Sequence, residues 1–327
     1  MMHVALRLNL LGVLLLLSAC SVISVQPTSY DDRETPLILA HGASSDGLPY
    51  NSLAALTHTL KNPAYDGIEL DVVLTADSVP VVAHDPWLSP EICRRRDRKP
   101  FEKIMISETL FDELTADYEC RHLPEVAGDE NHITLPDSGY HALPSLHDAL
   151  AKLSDRSVVY LDLKIQSEIT LPASEYGAEI VNLLQELSLS NPLFIEAPEV
   201  DDLRAIKSEF SQAYSGESPR AFPIHWVLSY PAFYAGENWN RVGANAAIKT
   251  QFHRARPREL AQRANADVVM SPMSVMSTAA IEELHEHQIG FGTFLIDDKK
   301  SLKRACDHGA AVMIVDIEPP TNHVCTQ

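Results

Sequence analysis

The sequence of 327 residues lacks several features that would point to familiar kinds of binding site. No predicted strand is followed by a glycine-rich loop, so the main evidence for a dinucleotide-binding fold is missing. None of the five cysteines belongs to a C-x-x-C pair, which argues against a zinc motif. Basic residues are outnumbered, because 26 Lys and Arg stand against 45 Asp and Glu, for a net charge of −19. So acidic a protein is not expected to bind nucleic acid through its overall field.

The most apolar stretch of the sequence lies at the N-terminus. Residues 1–20 read MMHVALRLNLLGVLLLLSAC, with Arg7 as their only charge. This run is typical of a secretory signal and is too short to serve as a spanning helix in the mature protein. Residues 17–20, LSAC, resemble the lipobox of bacterial lipoproteins. That resemblance implies cleavage before Cys20 and attachment of lipid to it, whereas the alternative is an ordinary signal peptide with a chance cysteine.

These observations predict three segments. Residues 1–19 are the signal peptide, residues 20–35 are a lipidated tether without a hydrophobic period, and residues 36–327 are a single globular unit. The residue after the cysteine, Ser21, is not the Asp associated with retention in the inner membrane. We therefore expect a lipoprotein of the cell envelope that faces the periplasm, with the outer membrane favoured over the inner one.

Four cysteines remain after Cys20, namely Cys93, Cys120, Cys306 and Cys325. An even number of cysteines in an oxidising compartment favours disulfides. Three connectivities are open. We favour Cys93–Cys120 with Cys306–Cys325, because each of these bonds closes a local loop.

Short apolar strands alternate with amphipathic helical segments from residue 37 onward. The predicted strands are 37–40, 67–73, 158–163, 193–196, 224–228, 267–270, 291–296 and 311–315, and the predicted helices are 52–61, 173–187, 201–210, 258–265, 278–287 and 299–308. Repeated β-α units with short connections favour a parallel sheet. Eight such strands in one core favour an α/β fold of the (β/α)8 TIM barrel type over a doubly wound sheet.

The apolar segment 79–83 does not fit this repeat. Only residues 75–78 separate it from the preceding strand, whereas a parallel crossover needs about a dozen residues. It is therefore predicted to be an extra antiparallel hairpin strand, which returns His84 towards the end of strand 67–73. Residues from about 86 to 142 are rich in Pro, Arg and Asp and are predicted to form an insertion over the barrel mouth, pinned by the first disulfide.

Ionisable side chains gather on three of the predicted strands. Glu69 and Asp71 lie two residues apart and so face one side of their strand, and Asp162 and Lys164 repeat this spacing on the next barrel strand. Paired carboxylates in an apolar setting repel each other, so a lysine, an arginine or a metal ion must lie between them. Taken alone, His41 could be a core residue and Asp162–Lys164 a salt bridge. Taken together, three carboxylates favour one divalent cation, Ca²⁺ or Mg²⁺.

These residues resemble the glycerophosphodiester phosphodiesterases, within the wider phospholipase-C-like phosphodiesterase superfamily. The stretch AHGASSDGLPYNS…GIELDVVLTADSVPVVAHD is similar to the family motifs H-R-G, P-E-N-T and E-x-D-V-x-x-T-x-D-x-x-x-V-x-x-H-D, and LDLK is similar to a later E-x-K. The resemblance covers nearly all of residues 37–320. It implies His41 and His84 as the acid–base pair, Glu69, Asp71 and Asp162 as metal ligands, and Lys164 as a contact to the substrate phosphate.

The implied activity is metal-dependent hydrolysis of a glycerophosphodiester, or of a lysophospholipid-like diester, to a phosphomonoester and an alcohol. Two alternatives stay open: a catalytically impaired lipoprotein that binds a lipid or headgroup, and a lyase-type enzyme on the same fold that forms a cyclic phosphate. The implied partners are a small diester or lysolipid substrate and a membrane reached through the N-terminal lipid.

The sequence departs from the family pattern at the phosphate pocket. Gly42 stands where the family has the arginine of H-R-G, and Tyr50 stands where it has the glutamate of P-E-N-T. Lysine does not reproduce the bidentate contact of arginine with phosphate. We therefore predict a remodelled pocket, with a cavity at Gly42 that Tyr50 partly lines and that suits a bulkier or more apolar alcohol.

Two basic runs interrupt this acidic sequence, CRRRDRK at 93–99 and KTQFHRARPR at 249–258. Each is interpreted either as a solvated face or as a contact for an anionic group. Neither has the aromatic spacing of a nucleic-acid platform.

Overall fold

In a computed structural model of the protein, the described residues are 36–43, 48–121, 139–153, 157–215, 223–234, 236–320 and 325. The predicted signal peptide, Cys20 and the tether lie outside them. Among these residues, no helix combines the length and the apolar character that crossing a membrane requires.

Eight parallel strands close into a barrel, because the first strand pairs with both the second and the last. Numbered along the chain, the barrel strands are β1 (Leu37–Ala40), β2 (Gly67–Leu74), β3 (Val158–Leu163), β4 (Leu193–Ala197), β5 (Ile224–Ser229), β6 (Val268–Met270), β7 (Gly290–Ile296) and β8 (Val312–Val315). The predicted TIM barrel is confirmed, and each predicted strand agrees to within one residue at either end.

The helices described by the structure are α1 (Leu53–Thr59), α2 (Phe111–Asp117), α3 (Leu146–Leu150), α4 (Ala173–Leu187), α5 (Val200–Ala213), α6 (Trp239–Phe252), α7 (Ala255–Ala264), α8 (Thr278–Glu286) and α9 (Lys299–Asp307). Helix α6 was not predicted. Its buried residues are Gly243, Ala246 and Thr250, which are too small or too polar to give an apolar stripe. The basic run 249–258 ends α6, forms the short connection after it and begins α7.

The interior of the barrel is filled by side chains from alternate strand positions, as expected for a small barrel. This interior cluster contains Leu37, Leu39, Val158, Tyr160, Phe194, Val227, Val268, Met270, Val312 and Ile314. The opposite strand faces pack beneath the helices. Because side chains two residues apart share a face, the inward rows of β3 and β4 continue from Tyr160 to Asp162 and from Phe194 to Glu196. Polar groups thus enter the barrel towards its C-terminal end.

The hairpin prediction is confirmed, since Pro80–Val82 pairs antiparallel with β2. The insertion that follows contains two small antiparallel pairs, Trp87–Leu88 with Ile104–Met105 and Cys93–Arg95 with Tyr118–Cys120. Residues 122–138 of the predicted insertion lie outside the described residues. Both predicted disulfides, Cys93–Cys120 and Cys306–Cys325, are present, and the first joins the two paired strands of the insertion.

Most basic residues of the run at 93–99 form ion pairs with acidic residues of the insertion. Arg94 Nε lies 2.6 Å from Glu119 Oε1, and Arg95 Nε lies 3.0 Å from Asp97 Oδ1. Lys99 Nζ lies 3.3 Å from the other oxygen of Asp97. Arg94 thus links the run to the opposite strand of the insertion, and Asp97 offsets part of the charge of Arg95 and Lys99 within the run itself.

Candidate active site

Three carboxylates meet at the junction of β2 and β3. The two strands pair in parallel with Asp71 opposite Asp162, and Glu69 precedes Asp71 by two residues. Glu69 and Asp71 are each 2% exposed. Each of the three residues offers an oxygen within 4.8 Å of the others. The register of two neighbouring strands therefore produces the predicted carboxylate cluster.

Lys164 contacts two of these carboxylates directly. Its Nζ lies 2.7 Å from Asp71 Oδ1 and 2.6 Å from Asp162 Oδ2. Burial would raise the pKa of the Asp71 carboxyl, but the positive charges of Lys164, His84 and His41 hold it well below its usual range. Burial and the neighbouring charge of Asp71 instead raise the pKa of Glu69 well above its usual range. The ammonium of Lys164 thus does not balance all three carboxyl groups, and the raised pKa of Glu69 reflects the repulsion that remains.

The residues present fit a divalent cation. Carboxylate oxygens are the ligands that Mg²⁺ and Ca²⁺ prefer, and the negative charge that Lys164 leaves uncompensated suits a cation of charge two. The carboxylates are also oriented by other groups, as metal ligands usually are. The backbone N–H of Gly42 donates to Glu69 Oε2 at 2.6 Å, and Asn51 Nδ2 donates to Asp71 Oδ2 at 2.7 Å.

His41 directly follows β1 and is held by an acid from the opposite end of the chain. Its Nδ1 lies 2.6 Å from Asp316 Oδ1, and the Tyr50 hydroxyl donates to the same oxygen. Burial alone would lower the pKa of His41. The hydrogen bond to Asp316 and the charges of Glu69, Asp316 and Asp71 outweigh burial and raise this pKa to about 9. Because Nδ1 is engaged, Nε2 is the nitrogen available to a substrate.

His84 reaches the same region from the hairpin. Its Nδ1 lies 2.9 Å from Asp85 Oδ1, and its side chain is 45% exposed. The imidazole is close enough to Asp71 for its charge to help lower the pKa of that carboxyl. The predicted return of His84 to the end of β2 is therefore what the structure shows.

The predicted cavity beside Gly42 is wrong, because Tyr50 fills that space. Gly42 has a φ of 53°, and a Cβ added to it would lie 2.9 Å from the Cβ of Tyr50. A side chain at position 42 would have to adopt a left-handed conformation and displace the tyrosine. The two departures from the family pattern are therefore in direct contact.

Two acids of the site were missed in the sequence. Asp316 follows β8 directly and binds His41. Glu196 lies on β4 opposite Asp162 in the strand register, and accepts hydrogen bonds from Tyr160 Oη at 2.7 Å and from the Ser229 hydroxyl. Burial and the charge of Asp162 raise the pKa of Glu196 to about 8. The available signal was an acidic residue near the C-terminal end of a buried strand, which also marks Glu69 and Asp162.

Three aromatic side chains pack together near the C-terminal end of β7. Phe294, on β7, packs against the interior cluster of the barrel. Its ring centroid lies 6.5 Å from that of Trp239, which in turn contacts Phe233 edge-to-face at 4.8 Å. This group offers an apolar surface beside a polar site.

Comparisons of the sequence with family models and with curated proteins agree on one family. The glycerophosphoryl diester phosphodiesterase family matches residues 41–317. A glycerophosphodiester phosphodiesterase of Bacillus altitudinis is 28% identical over 132 residues, which are 40% of this chain and 46% of that protein. Glycerophosphodiester phosphodiesterase 1 of Bos taurus is 29% identical over 133 residues, 40% of this chain and 35% of that protein. The chain thus spans less than half the length of these curated relatives.

Solved structures show the same fold. A phosphodiesterase of Oleispira antarctica, in complex with the product sn-glycerol-3-phosphate, superposes with a TM-score of 0.59 at 17% identity, covering 86% of this chain and 93% of that one. The glycerophosphodiester phosphodiesterase of Thermotoga maritima gives a TM-score of 0.54 at 15% identity, covering 88% and 96%.

Proposed function

Because the chain belongs to the glycerophosphoryl diester phosphodiesterase family, we propose that it hydrolyses a glycerophosphodiester or a lysophospholipid-like diester to a phosphomonoester and an alcohol. The observation that carries this proposal is the cluster of Glu69, Asp71 and Asp162 beside His41 and Lys164 at one end of the barrel. It combines a site for a divalent cation, Ca²⁺ or Mg²⁺, with a proton donor and an ammonium group that can contact phosphate.

The histidines divide the proton transfers. Water attacks phosphorus, the new P–O bond forms, and the bond to the alcohol oxygen breaks. His41 is the better proton donor to the departing alkoxide, because its raised pKa of about 9 keeps it charged at neutral pH. His84 is then the base that accepts the proton of the attacking water.

Glu69, Asp71 and Asp162 would hold the cation. A bound divalent cation supplies Lewis acidity, which neutralises charge that develops on a phosphate oxygen. Lys164 adds a second positive charge at the same place, and its contacts with Asp71 and Asp162 keep its ammonium aimed at the cluster. A non-catalytic protein that binds headgroups would not require this pairing of a proton donor with a cation site.

The substrate alcohol is proposed to be more apolar than that of a simple headgroup diester. The side of the pocket at Gly42 carries the Tyr50 ring in place of an arginine, and the ring centroids of Tyr50 and His41 lie 5.0 Å apart. Phe294 and Trp239 provide a further apolar surface. The test is a comparison of kcat/KM on glycerophosphocholine, glycerophosphoethanolamine and lysophosphatidylcholine. A preference for the lysolipid supports the proposal, whereas a preference for the smaller diesters contradicts it.

Restoring the family residues together, as Gly42→Arg with Tyr50→Glu, should shift this preference towards glycerophosphocholine. The arginine would regain a charge-assisted contact with phosphate, worth about 1.5–3 kcal/mol, or roughly ten- to a hundredfold in kcat/KM. Both Gly42→Arg and the double variant should lower the melting temperature, because position 42 has a φ of 53° and the new Cβ would lie 2.9 Å from the Cβ of residue 50, an atom that Glu shares with Tyr. The measurements are kcat/KM on both substrates and the melting temperature of each variant.

Gly42→Ala is the matched control for this pair, because it adds the Cβ without the charge. It should lower the melting temperature of the native protein and change the substrate preference little. If the double variant changes both substrates equally, or neither, then Gly42 and Tyr50 do not shape the pocket.

We also propose that the protein is an envelope lipoprotein facing the periplasm, with the outer membrane as its preferred location. After a salt wash that weakens electrostatic binding, Cys20→Ala should release it from the membrane fraction, because acyl chains contribute about 0.8 kcal/mol per buried methylene and are the main anchor. The measurement is fractionation after a salt wash, with activity assayed in each fraction. A Cys20→Ala protein that still sediments with membranes would refute lipidation as the main anchor.

A further inference from the structure

We propose that the corner between α6 and α7 is a docking surface for an anionic phospholipid membrane. This surface, called here the α6–α7 corner, comprises Ile248, Lys249, Phe252, His253 and Arg256. It lies outside the proposed active site, and only its benefit to catalysis rests on the proposed function.

Two large apolar side chains protrude from the corner. Ile248 and Phe252 are 59% and 77% exposed. They are four residues apart in α6, so they lie on one face of the helix and can enter a lipid surface together. Apolar side chains of this size can insert into the membrane interface while neighbouring Lys and Arg meet anionic headgroups.

Two basic side chains, Lys249 and Arg256, lie beside this apolar pair. Lys249 and Arg256 form no ion pair with any residue that the structure describes, unlike Arg258, whose Nε lies 3.1 Å from Glu283. With His253, Ala255 and Glu259, they line a cavity of about 450 Å³. A phosphate headgroup that enters this cavity would meet the two cationic side chains of Lys249 and Arg256 and one carboxylate, that of Glu259.

A membrane is favoured over a nucleic acid because the corner places exposed apolar side chains beside its positive charges. At a net charge of −19 the chain is repelled from an anionic surface on average. In physiological salt, screening limits the distance over which a charge acts to about 8 Å. The charge of the face that contacts the membrane therefore decides whether the protein binds. The corner presents such a positive face, whereas four of the five basic residues in the run at 93–99 are ion-paired within the insertion. The apolar pair adds an affinity for acyl chains that a nucleic acid would not use.

The corner lies at the same end of the barrel as the candidate active site. Thr250 Oγ1 donates to Val275 O at 2.7 Å, and Ser277 Oγ donates to Thr250 O at 3.1 Å. Val275 and Ser277 belong to the connection that leaves the C-terminal end of β6. Because barrel active sites lie at that end, docking through the corner would turn the mouth towards lipid headgroups. A lipid tether alone would not fix this orientation.

The test is sedimentation of the chain 36–327 with vesicles of phosphatidylcholine containing about 30% phosphatidylglycerol, and with pure phosphatidylcholine vesicles. This part contains every barrel strand and both disulfides. Binding to the anionic vesicles should be at least about tenfold tighter than to neutral ones. Ile248→Ser with Phe252→Ser, and Lys249→Gln with Arg256→Gln, should each weaken it by about tenfold or more.

Two matched controls separate the corner from general surface effects. Leu110→Ser removes an apolar side chain that is 53% exposed in the insertion, and Lys61→Gln removes an exposed charge just beyond α1. Both should bind vesicles like the native chain. Equal binding to both vesicle types, equal losses in the controls, or binding to RNA but not to vesicles would overturn the proposal. Hydrolysis of water-soluble glycerophosphocholine should be unchanged in the Ile248→Ser, Phe252→Ser variant, so failure of the proposed function would be seen separately.

Discussion

Glu69→Gln and Asp71→Asn should each abolish measurable binding of Mg²⁺ and Ca²⁺ and lower kcat/KM by about a thousandfold or more. A cation at this cluster is worth several kcal/mol to the transition state, and each 1.36 kcal/mol is tenfold in rate. Isothermal titration calorimetry measures the affinity, and steady-state kinetics measures the rate. Unchanged affinity in both variants would refute the assignment of the cation to this cluster.

The two variants should differ in stability when a chelator is present. The pKa of Glu69 is raised, so the folded protein holds a proton that the unfolded chain loses, and stability falls as the pH rises through this range. Glu69→Gln has no proton to lose, so this fall in stability with rising pH should be missing in the variant. Asp71→Asn removes a partner of the buried Lys164 ammonium and should destabilise the protein. Melting temperatures at several pH values separate these effects.

Glu196→Gln is the matched control for both substitutions. Glu196 is a buried carboxyl on the neighbouring strand, but its pKa of about 8 keeps it neutral at neutral pH. An amide is therefore a close substitute, and the variant should bind the cation nearly as the native protein does. Loss of cation binding in this control would mean that Glu196 is itself a ligand.

Asp316→Asn should lower kcat by about a hundred- to ten-thousandfold while changing KM little, because general acid catalysis contributes rate enhancements of this size. The carboxylate fixes His41 through Nδ1 and helps to raise its pKa to about 9. Removing its charge should lower the pKa of His41, so the limb of the pH–rate profile that belongs to His41 should move to lower pH. The profile of kcat against pH measures the shift.

A change of leaving group tests the role of His41 in the same variant. A nitrophenyl phosphodiester needs little protonation of its leaving group, so Asp316→Asn should reduce its hydrolysis much less than that of glycerophosphocholine. Tyr50→Phe, which removes the other donor to Asp316, should retain most of the activity because the bond to His41 stays in place. An equal loss on both substrates would show that His41 is not the proton donor.

The barrel could be predicted from the sequence because each strand is a short apolar run between amphipathic helices. The hairpin that carries His84 followed from chain length alone, since four residues cannot cross between parallel strands. Helix α6 could not be predicted, because Gly243, Ala246 and Thr250 bury its inner face without an apolar stripe. Its exposed Ile248 and Phe252 further obscure any helical period.

The site was predictable where residues lie close in sequence and less so where they meet only in the fold. Glu69, Asp71 and Asp162 lie on two adjacent strands, and Lys164 directly follows the second, two residues after Asp162. Asp316 is 275 positions from His41 in sequence, and the two meet only in the folded barrel. A single acidic residue after β8 is too weak a pattern to predict this contact. The contact between Tyr50 and Gly42 depends on a positive φ, which the sequence does not reveal.

The most direct measurement is phosphorus NMR of glycerophosphocholine incubated with the protein and Mg²⁺ or Ca²⁺, with and without a chelator. Hydrolysis at this site predicts a phosphomonoester signal that grows with the cation present, stops on addition of the chelator and is missing for Glu69→Gln. A cyclic phosphate as the final product, turnover that persists in the chelator, or no turnover of this or any lysophospholipid diester would contradict it.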